Sequence, residues 1–144
     1  MKKIEVVVGV VCNEVEGTTY VLLTKRPKGK HLEGLWEFPG GKVKAGEPLD
    51  IALKRELEEE IHFKESEIVE LEPLTYVEHY YDDVSVALHC FYILSDRIHF
   101  TGTMIMAENQ IGKWVPLSAL IDEPMPAANT KIVEALLKRK VRHK

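Results

Sequence analysis

A glycine pair that leads into an acidic helix is the feature of this sequence that most restricts its fold. Residues 36–63 read WEFPGGKVKAGEPLDIALKRELEEEIHF. Pro48 suits a first helical position, because its fixed φ is already helical and its missing N–H would have no partner there. Ala, Leu, Lys, Arg and Glu then fill most of the interior, and all favour helices. The stretch predicts a tight turn followed by a helix over residues 48–61.

Two carboxylates of this helix fall on its apolar side. At about 100° per residue, Glu56 and Glu60 lie within the apolar arc, and Glu59 lies at its margin. The arc is formed by Leu49, Ala52, Leu53 and Leu57, with Ile61 at its edge. Like charges four residues apart destabilise a helix, its second half disfavours anions, and burial adds a desolvation cost. A divalent cation such as Mg²⁺ or Mn²⁺ would remove all three costs. The alternative is an ordinary glutamate-rich surface.

The spacing of the charged residues matches a known motif. Gly41 is followed after five residues by Glu47, and after seven more by Arg55 and the glutamates. This resembles the Nudix box, G-x5-E-x7-R-E-U-x-E-E-x-G-U, in which U is an aliphatic or aromatic residue. Only His62 departs from it, since it stands where the family has Gly. Because His enters the left-handed region more readily than most residues, we expect His62 to alter the helix exit without removing metal binding.

The composition fits one globular domain over residues 1–144. With 144 residues, 45% of them hydrophobic, the chain is long enough for one core. A net charge of −4 indicates neither a nucleic-acid polymer nor an anionic membrane as a partner. Cys12 and Cys90 lie in apolar runs without metal-type spacing, so we expect reduced, buried thiols and a cytoplasmic location. No stretch is long enough to span a membrane.

Strands alternate with two helices along the rest of the chain. The pattern predicts strands at 4–12, 20–24, 35–38, 68–76, 84–94 and 113–115, a turn at 79–83, and a closing helix at 130–140. This alternation predicts an α/β fold in which helices cover both sides of a mixed β-sheet. The Nudix fold is such an α/β/α sandwich, so the resemblance predicts the same architecture.

The resemblance extends beyond the box to the MutT-like, 8-oxo-dGTP diphosphatase branch of the family. It includes the opening Met-Lys-Lys with its apolar strand, and residues 37–42 and 126–129. It implies that the loop over residues 26–31 holds the nucleotide, that residues 37–39 line its base and sugar, and that Asn129 hydrogen-bonds the base. An amide suits that role, because it offers a donor and an acceptor together. The implied nucleotide-binding residues are Arg26, His31, Glu37, Phe38, Pro39, Gly40 and Asn129.

Structural alternatives stay open for three of these residues. Asn129 can instead cap a helix that begins at Thr130. Arg26 can be a surface charge, and His31 an ordinary loop residue. Base selectivity is also open, because the turn at 79–83 differs from MutT-like sequences, in which it helps to select the base.

The resemblance also implies a metal site and catalytic residues. The implied metal ligands are the Gly40 carbonyl, Glu56, Glu59, Glu60 and Glu108, and the implied catalytic residues are Glu56, Arg55, Glu59 and Glu108. Either Glu56 or Glu108 serves as the base, and Arg55 orients Glu56. The alternatives are a solvated Glu108 and a surface ion pair between Arg55 and Glu59.

Together these features predict a Mg²⁺-dependent nucleoside triphosphate pyrophosphohydrolase, with Mn²⁺ as a substitute. The resemblance implies attack at the β-phosphorus, and 8-oxo-dGTP is the leading substrate. CTP or a modified dCTP is the alternative, because relatives with that activity share residues 34–38. A catalytically silent nucleotide sensor is a third hypothesis, disfavoured because Glu56, Glu59 and Glu60 are all present. We expect a monomer or weak dimer that acts in nucleotide-pool sanitation, and so in DNA replication and repair.

Overall fold

The computed structural model describes residues 2–26, 29, 33–96, 103–105 and 111–142. Its strands are β1 (Lys2–Val15), β2 (Thr18–Lys25), β3 (Trp36–Glu37), β4 (Gly40–Lys42), β5 (Ile68–Tyr81), β6 (Val84–Ser95), β7 (Thr103–Ile105) and β8 (Ile111–Pro116). Its helices are α1 (Leu49–Ile61) and α2 (Asn129–Arg142), with 3-10 turns at Glu65–Glu67 and Leu117–Asp122. His31 and Glu108 lie outside the described residues.

The strands form one mixed sheet, as the sequence predicts. The order is β5-β6-β1-β2-β8-β7, with β3 beside β2 and β4 beside β1. β1 runs parallel to β6 over residues 2–12, whereas the other described pairs are antiparallel. Among the described residues, no helix has the length and apolar character needed to cross a membrane.

A helix packs on each face of this sheet. In β1, Val7 and Val11 pack with the buried side of α1. The alternate residues, Val8 and Val10, pack on the opposite face with the apolar side of α2. Both faces of a central strand are therefore buried, which explains its near-continuous β-branched sequence. The predicted α/β/α sandwich is confirmed.

The sheet divides where β1 and β2 separate. These strands pair between residues 12–15 and 18–21, and then diverge. β4 pairs with β1 at residues 6–8, whereas β3 pairs with β2 at Thr24 and Lys25. We call this opening, filled by residues 36–42, the fork. At its branch point the Gly9 N–H donates to the Pro39 carbonyl at 2.8 Å. Gly40 lies so close to the Val7 carbonyl that a Cβ there would overlap it, so only glycine fits.

The hairpin between β5 and β6 is tighter than the sequence pattern indicates. The predicted turn at 79–83 contains the actual turn but is too long, because β5 continues to Tyr81 and only Asp82 and Asp83 lie between the strands. Asp82 has a φ of 37°, as two-residue hairpin turns require. His79 and Tyr81 are therefore strand residues whose rings pack together, with 4.4 Å between centroids.

Both cysteines are buried, free thiols, as expected. Burial raises the pKa of Cys12 and that of Cys90 to about 12.

Helical spacing also predicts one apolar face of the closing helix, formed by Ile132, Val133, Leu136 and Leu137. The first three are buried in α2, but Leu137 is 37% exposed, so this part of the prediction is wrong.

α1 ends with His62 in the left-handed conformation, at φ 53° and ψ 32°. The His62 N–H donates to the Glu58 carbonyl at 3.0 Å, and the Phe63 N–H donates to the Leu57 carbonyl at 3.1 Å. Our expectation of an altered helix exit is therefore wrong, because His62 keeps the exit that glycine favours.

We expect His62→Gly to raise the free energy of unfolding by about 1 kcal/mol, because a non-glycine residue pays a steric cost in this region. Denaturant unfolding monitored by circular dichroism measures the change. His62→Ala is the control and should bring no gain, since alanine also has a Cβ. A glycine variant no more stable than the alanine variant would contradict this prediction.

Candidate active site

A cavity of about 430 Å³ opens beside the fork. We call it the fork cavity. Six of the metal and nucleotide-binding residues that the resemblance implies line it: Arg26, Glu37, Phe38, Gly40, Glu60 and Asn129. Pro39 is buried in the fork, but it is not among the lining residues, and its carbonyl accepts the Gly9 N–H. The structure thus brings residues of α1, α2 and the fork to one cavity, and places Pro39 behind its wall.

The apolar wall of the fork cavity was missed by sequence analysis. It is formed by Ile4, Val6, Val8, Val86 and Leu88, and Tyr81 also lines the cavity. Ile4 and Val6 lie directly beside Val86 and Leu88 in the parallel pair of β1 and β6. Alternation along these two strands was the available signal, because side chains two residues apart share a face. The strand pairing needed to use that signal is not written in the sequence.

Glu60 is held across the fork by one hydrogen bond from each branch. The Thr24 hydroxyl donates to Oε1 at 3.3 Å, and the Gly40 N–H donates to Oε2 at 3.1 Å. Burial raises the pKa of Glu60 to about 7, and the nearby charges of Glu37 and Glu56 also raise it, whereas these two hydrogen bonds oppose the shift. A carboxylate in this environment favours a bound proton or a bound cation.

Arg55 uses all five of its N–H donors on groups around the box. Its Nε and Nη2 donate to the two oxygens of Glu47 at 2.8 and 2.9 Å, and Nη2 also donates to the Lys42 carbonyl at 3.0 Å. Its Nη1 donates to Glu56 at 2.8 Å and to Glu59 at 3.3 Å. The hydrogen bonds from Arg55 are the main reason that the pKa of Glu47 falls to about 2. Arg55 therefore pairs with Glu59 and also holds Glu56, with the shorter bond to Glu56.

The carboxylates of α1 fit a hard cation by type and position. Glu56 lies so close to Gly41 that a Cβ there would overlap its carboxylate, and Glu60 bonds the adjacent Gly40. Carboxylates beside backbone carbonyls are the donors that Mg²⁺ and Mn²⁺ prefer. The side chain of Glu59 is 56% exposed, and it is linked to Glu56 through their shared donor, Nη1 of Arg55. Within the described ranges, no three Asp, Glu, His or Cys side chains already form a complete ligand set.

Arg26 is paired within the fork cavity rather than projecting as a lone surface charge. Its Nη1 lies 3.3 and 3.4 Å from the two oxygens of Glu37. Burial raises the pKa of Glu37, and the Arg26 charge opposes that rise. The pair places a guanidinium donor and a carboxylate acceptor on the cavity wall near Glu60.

Asn129 leaves a buried hydrogen-bond donor beside the same cavity. The residue is 8% exposed, and its Nδ2 has no partner among the described residues. Most buried polar groups in proteins are paired, so an orphan at a cavity indicates a ligand or ordered water. Asn129 is also the first residue of α2, whereas the cap hypothesis places it just before a helix starting at Thr130.

In metal-free protein, we expect the parent chain to lose about 3 kcal/mol of stability relative to Glu60→Gln as pH rises from 4.5 through 7. The folded pKa of Glu60 lies above its ordinary value of 4.5, so folding favours its proton. The contribution of the Glu60 side chain to stability is therefore fully present below pH 4.5 and is lost as the pH rises through 7. Urea unfolding in EDTA from pH 4 to 8 measures the difference, and any pH-independent effect of the substitution is a constant offset. A flat difference would contradict the prediction.

Comparison of the chain with known proteins finds a family model, similar curated proteins and similar solved structures. A family model described as a NUDIX domain matches residues 7–135. An 8-oxo-dGTP diphosphatase of Haemophilus influenzae is 39% identical over 137 residues, covering 94% of this chain and 93% of that protein. A CTP pyrophosphohydrolase of Escherichia coli is 34% identical over 140 residues, covering 95% and 93%. A structure from a study of MutT from Aliivibrio salmonicida and Vibrio cholerae is 33% identical with a TM-score of 0.69, covering 96% and 99%.

Proposed function

The chain belongs to the Nudix family, and from that premise we propose that it hydrolyses 8-oxo-dGTP to 8-oxo-dGMP and pyrophosphate. Water attacks the β-phosphorus and the bond from that phosphorus to the α–β bridging oxygen breaks. 8-oxo-dGMP leaves with this oxygen, and pyrophosphate contains the β and γ phosphates with the oxygen of the attacking water. Relatives named 8-oxo-dGTP diphosphatase support this substrate, since they include the Haemophilus influenzae protein at 39% identity.

The unpaired Nδ2 of Asn129 is the observation that carries the proposal. A buried donor without a partner costs roughly 1–3 kcal/mol, and a carbonyl on the edge of a base would remove that cost. The amide also carries an acceptor oxygen, so it can contact both kinds of group on a guanine edge. Because Asn129 and Glu60 line the same cavity, a nucleotide bound there could contact both the Asn129 amide and the Glu60 carboxylate.

The carboxylate cluster is proposed to hold Mg²⁺, with Mn²⁺ as a substitute. Glu56, Glu59, Glu60 and the Gly40 carbonyl would be ligands, together with Glu108. When bound, the cation neutralises phosphate charge and lowers the pKa of bound water. Arg55 donates a hydrogen bond to Glu56 and orients it, and either Glu56 or Glu108 accepts the proton of the attacking water.

The rest of the cavity is proposed to bind the nucleotide. Arg26 offers its guanidinium to the phosphates together with His31 of the same loop, while Glu37 and Phe38 line the sugar and base. We further propose that the protein acts in the cytoplasm on the free nucleotide pool, as a monomer or weak dimer.

CTP or a modified dCTP is the second candidate substrate. The CTP pyrophosphohydrolase relative is 34% identical over 140 residues, a likeness comparable to that of the 8-oxo-dGTP diphosphatase. Residues 34–38 support it as well, and a cytosine base carries its own carbonyl that Asn129 could satisfy. Similarity alone therefore leaves two bases to compare by experiment.

Pyrophosphate release from 8-oxo-dGTP, dGTP, CTP, dCTP and 5-methyl-dCTP, with and without Mg²⁺, tests the proposal. We expect Mg²⁺-dependent release with the highest kcat/KM for 8-oxo-dGTP, and Asn129→Ala should remove most of that preference. A cytosine nucleotide as the best substrate would overturn the 8-oxoguanine assignment. Binding without release from any of them would favour a silent nucleotide sensor.

A further inference from the structure

Thr24 shares the carboxylate of Glu60 with the Gly40 backbone, and we propose that Thr24 is a positioning residue for the divalent cation at this site. The inference rests on the proposed function, because that function assigns Glu60 as a metal ligand. Thr24 lies outside the Nudix box, in β2, whereas Gly40 lies in β4 on the opposite branch of the fork. It donates to Oε1 of Glu60 at 3.3 Å, while Gly40 donates to Oε2 at 3.1 Å.

These two donors fix both the position and the rotation of the carboxylate. One comes from β2 and one from β4, so the carboxylate is held from both branches of the fork. With only the Gly40 bond, the carboxylate could pivot about Oε2. Groups that hydrogen-bond a ligating carboxylate orient it toward the metal, and their loss typically costs about 10- to 100-fold in metal affinity or activity.

The backbone pairing of β2 does not require the hydroxyl of Thr24. Thr24 is completely buried, and its backbone pairs with Glu37 on one side and with Gly112 on the other. Valine would fill the same space and has a higher preference for buried strand positions. A hydroxyl at this point is therefore explained by its acceptor, the Glu60 carboxylate, which lies 36 residues away in the sequence.

β2 contains a matched control for this residue. Thr19 is also buried, at 7% exposure, and its hydroxyl donates to the Glu14 carboxylate at 2.8 Å. Neither Thr19 nor Glu14 lines the fork cavity. Thr19→Val thus removes the same kind of hydrogen bond from the same strand, away from the proposed metal site.

The test is a titration of each purified, full-length variant with Mn²⁺, in which electron paramagnetic resonance measures free metal. We expect Thr24→Val to weaken Mn²⁺ affinity by roughly 10- to 100-fold. Thr24→Ser should stay close to the parent, because it keeps the hydroxyl, and so should Thr19→Val. Turnover should distinguish the same variants. Thr24→Val should need more Mn²⁺ for half-maximal activity than the parent, Thr24→Ser or Thr19→Val, and its kcat at saturating Mn²⁺ should be near the parent value.

A folded Thr24→Val variant with the parent's Mn²⁺ affinity would overturn the inference. Melting curves establish which variants are folded. If Thr24→Val does not fold, Thr24→Ala takes its place in the titration. A double-mutant cycle adds a readout that a purely structural role would not move. Thr24→Val should cost little further affinity in a Glu60→Gln background, whereas an equal loss in both backgrounds would also overturn the inference.

The same titration separates this inference from the proposed function. If the parent binds no Mn²⁺, or if Glu60→Gln binds it as tightly as the parent, the metal assignment itself fails. If Glu60→Gln loses affinity and Thr24→Val does not, the metal assignment stands and only the role of Thr24 is rejected.

Discussion

Glu60→Gln is expected to lower nucleoside triphosphate turnover by roughly 100- to 1,000-fold without unfolding the protein. Glutamine keeps the shape of the side chain and can still accept a hydrogen bond from Thr24 or Gly40. It removes a negative charge from the carboxylate cluster, so the proposed divalent cation would lose a carboxylate ligand. Pyrophosphate release at saturating Mg²⁺ measures the loss, with circular dichroism as the check on folding.

Glu58→Gln is the matched control for this prediction. Glu58 lies two residues earlier on the same helix, and it is exposed. The control therefore removes the same charge from α1 without touching the cavity, and its turnover should match the parent. Turnover near the parent value in a folded Glu60→Gln variant would remove Glu60 from the catalytic machinery.

Arg55→Lys is expected to lower turnover by about 10- to 100-fold, because the group that positions the proposed catalytic carboxylate Glu56 is lost. Arg55 forms a two-bond pair with Glu47 and also holds Glu56, with the Lys42 carbonyl as a further acceptor. An ammonium has three donors on one atom and cannot span these acceptors. The positive charge is kept, so the measurement isolates geometry from net charge.

Lys54→Met is the control for the arginine prediction. Lys54 precedes Arg55 on α1, and its ammonium pairs with Glu65 at 2.8 Å. Breaking that pair removes none of the hydrogen bonds of Arg55, so turnover in the same pyrophosphate assay should stay unchanged. If Arg55→Lys matched the parent, charge rather than geometry would be sufficient at this position.

The box helix could be predicted because its evidence is local. A period of 3.6 residues placed Glu56 and Glu60 on the apolar side, and both are partly buried in the structure. The same argument placed Glu59 at the margin, and its side chain is exposed. Interactions within one helix depend on sequence spacing alone, so the sequence is sufficient to predict them.

The rest of the site depends on contacts between residues that are far apart in the sequence. Ile4 and Val6 look like ordinary core residues in a β-branched run, and only their pairing with β6 makes them a cavity wall. Thr24 carries no local signal at all, since its partner Glu60 belongs to another element. Tyr81 was assigned to a turn, because the pattern does not reveal how far the hairpin continues.

The fork has a consequence for how such a protein could acquire a new substrate. Glu60 comes from the helix on one face of the sheet and Asn129 from the helix on the other, yet both line one cavity beside the fork. In the proposed function, the metal ligands of α1 and the base contact of α2 therefore belong to separate pieces of the chain. Changes in α2 and β6 would then alter which base is accepted while α1 stays constant, so one reaction could be inherited by enzymes with different substrates.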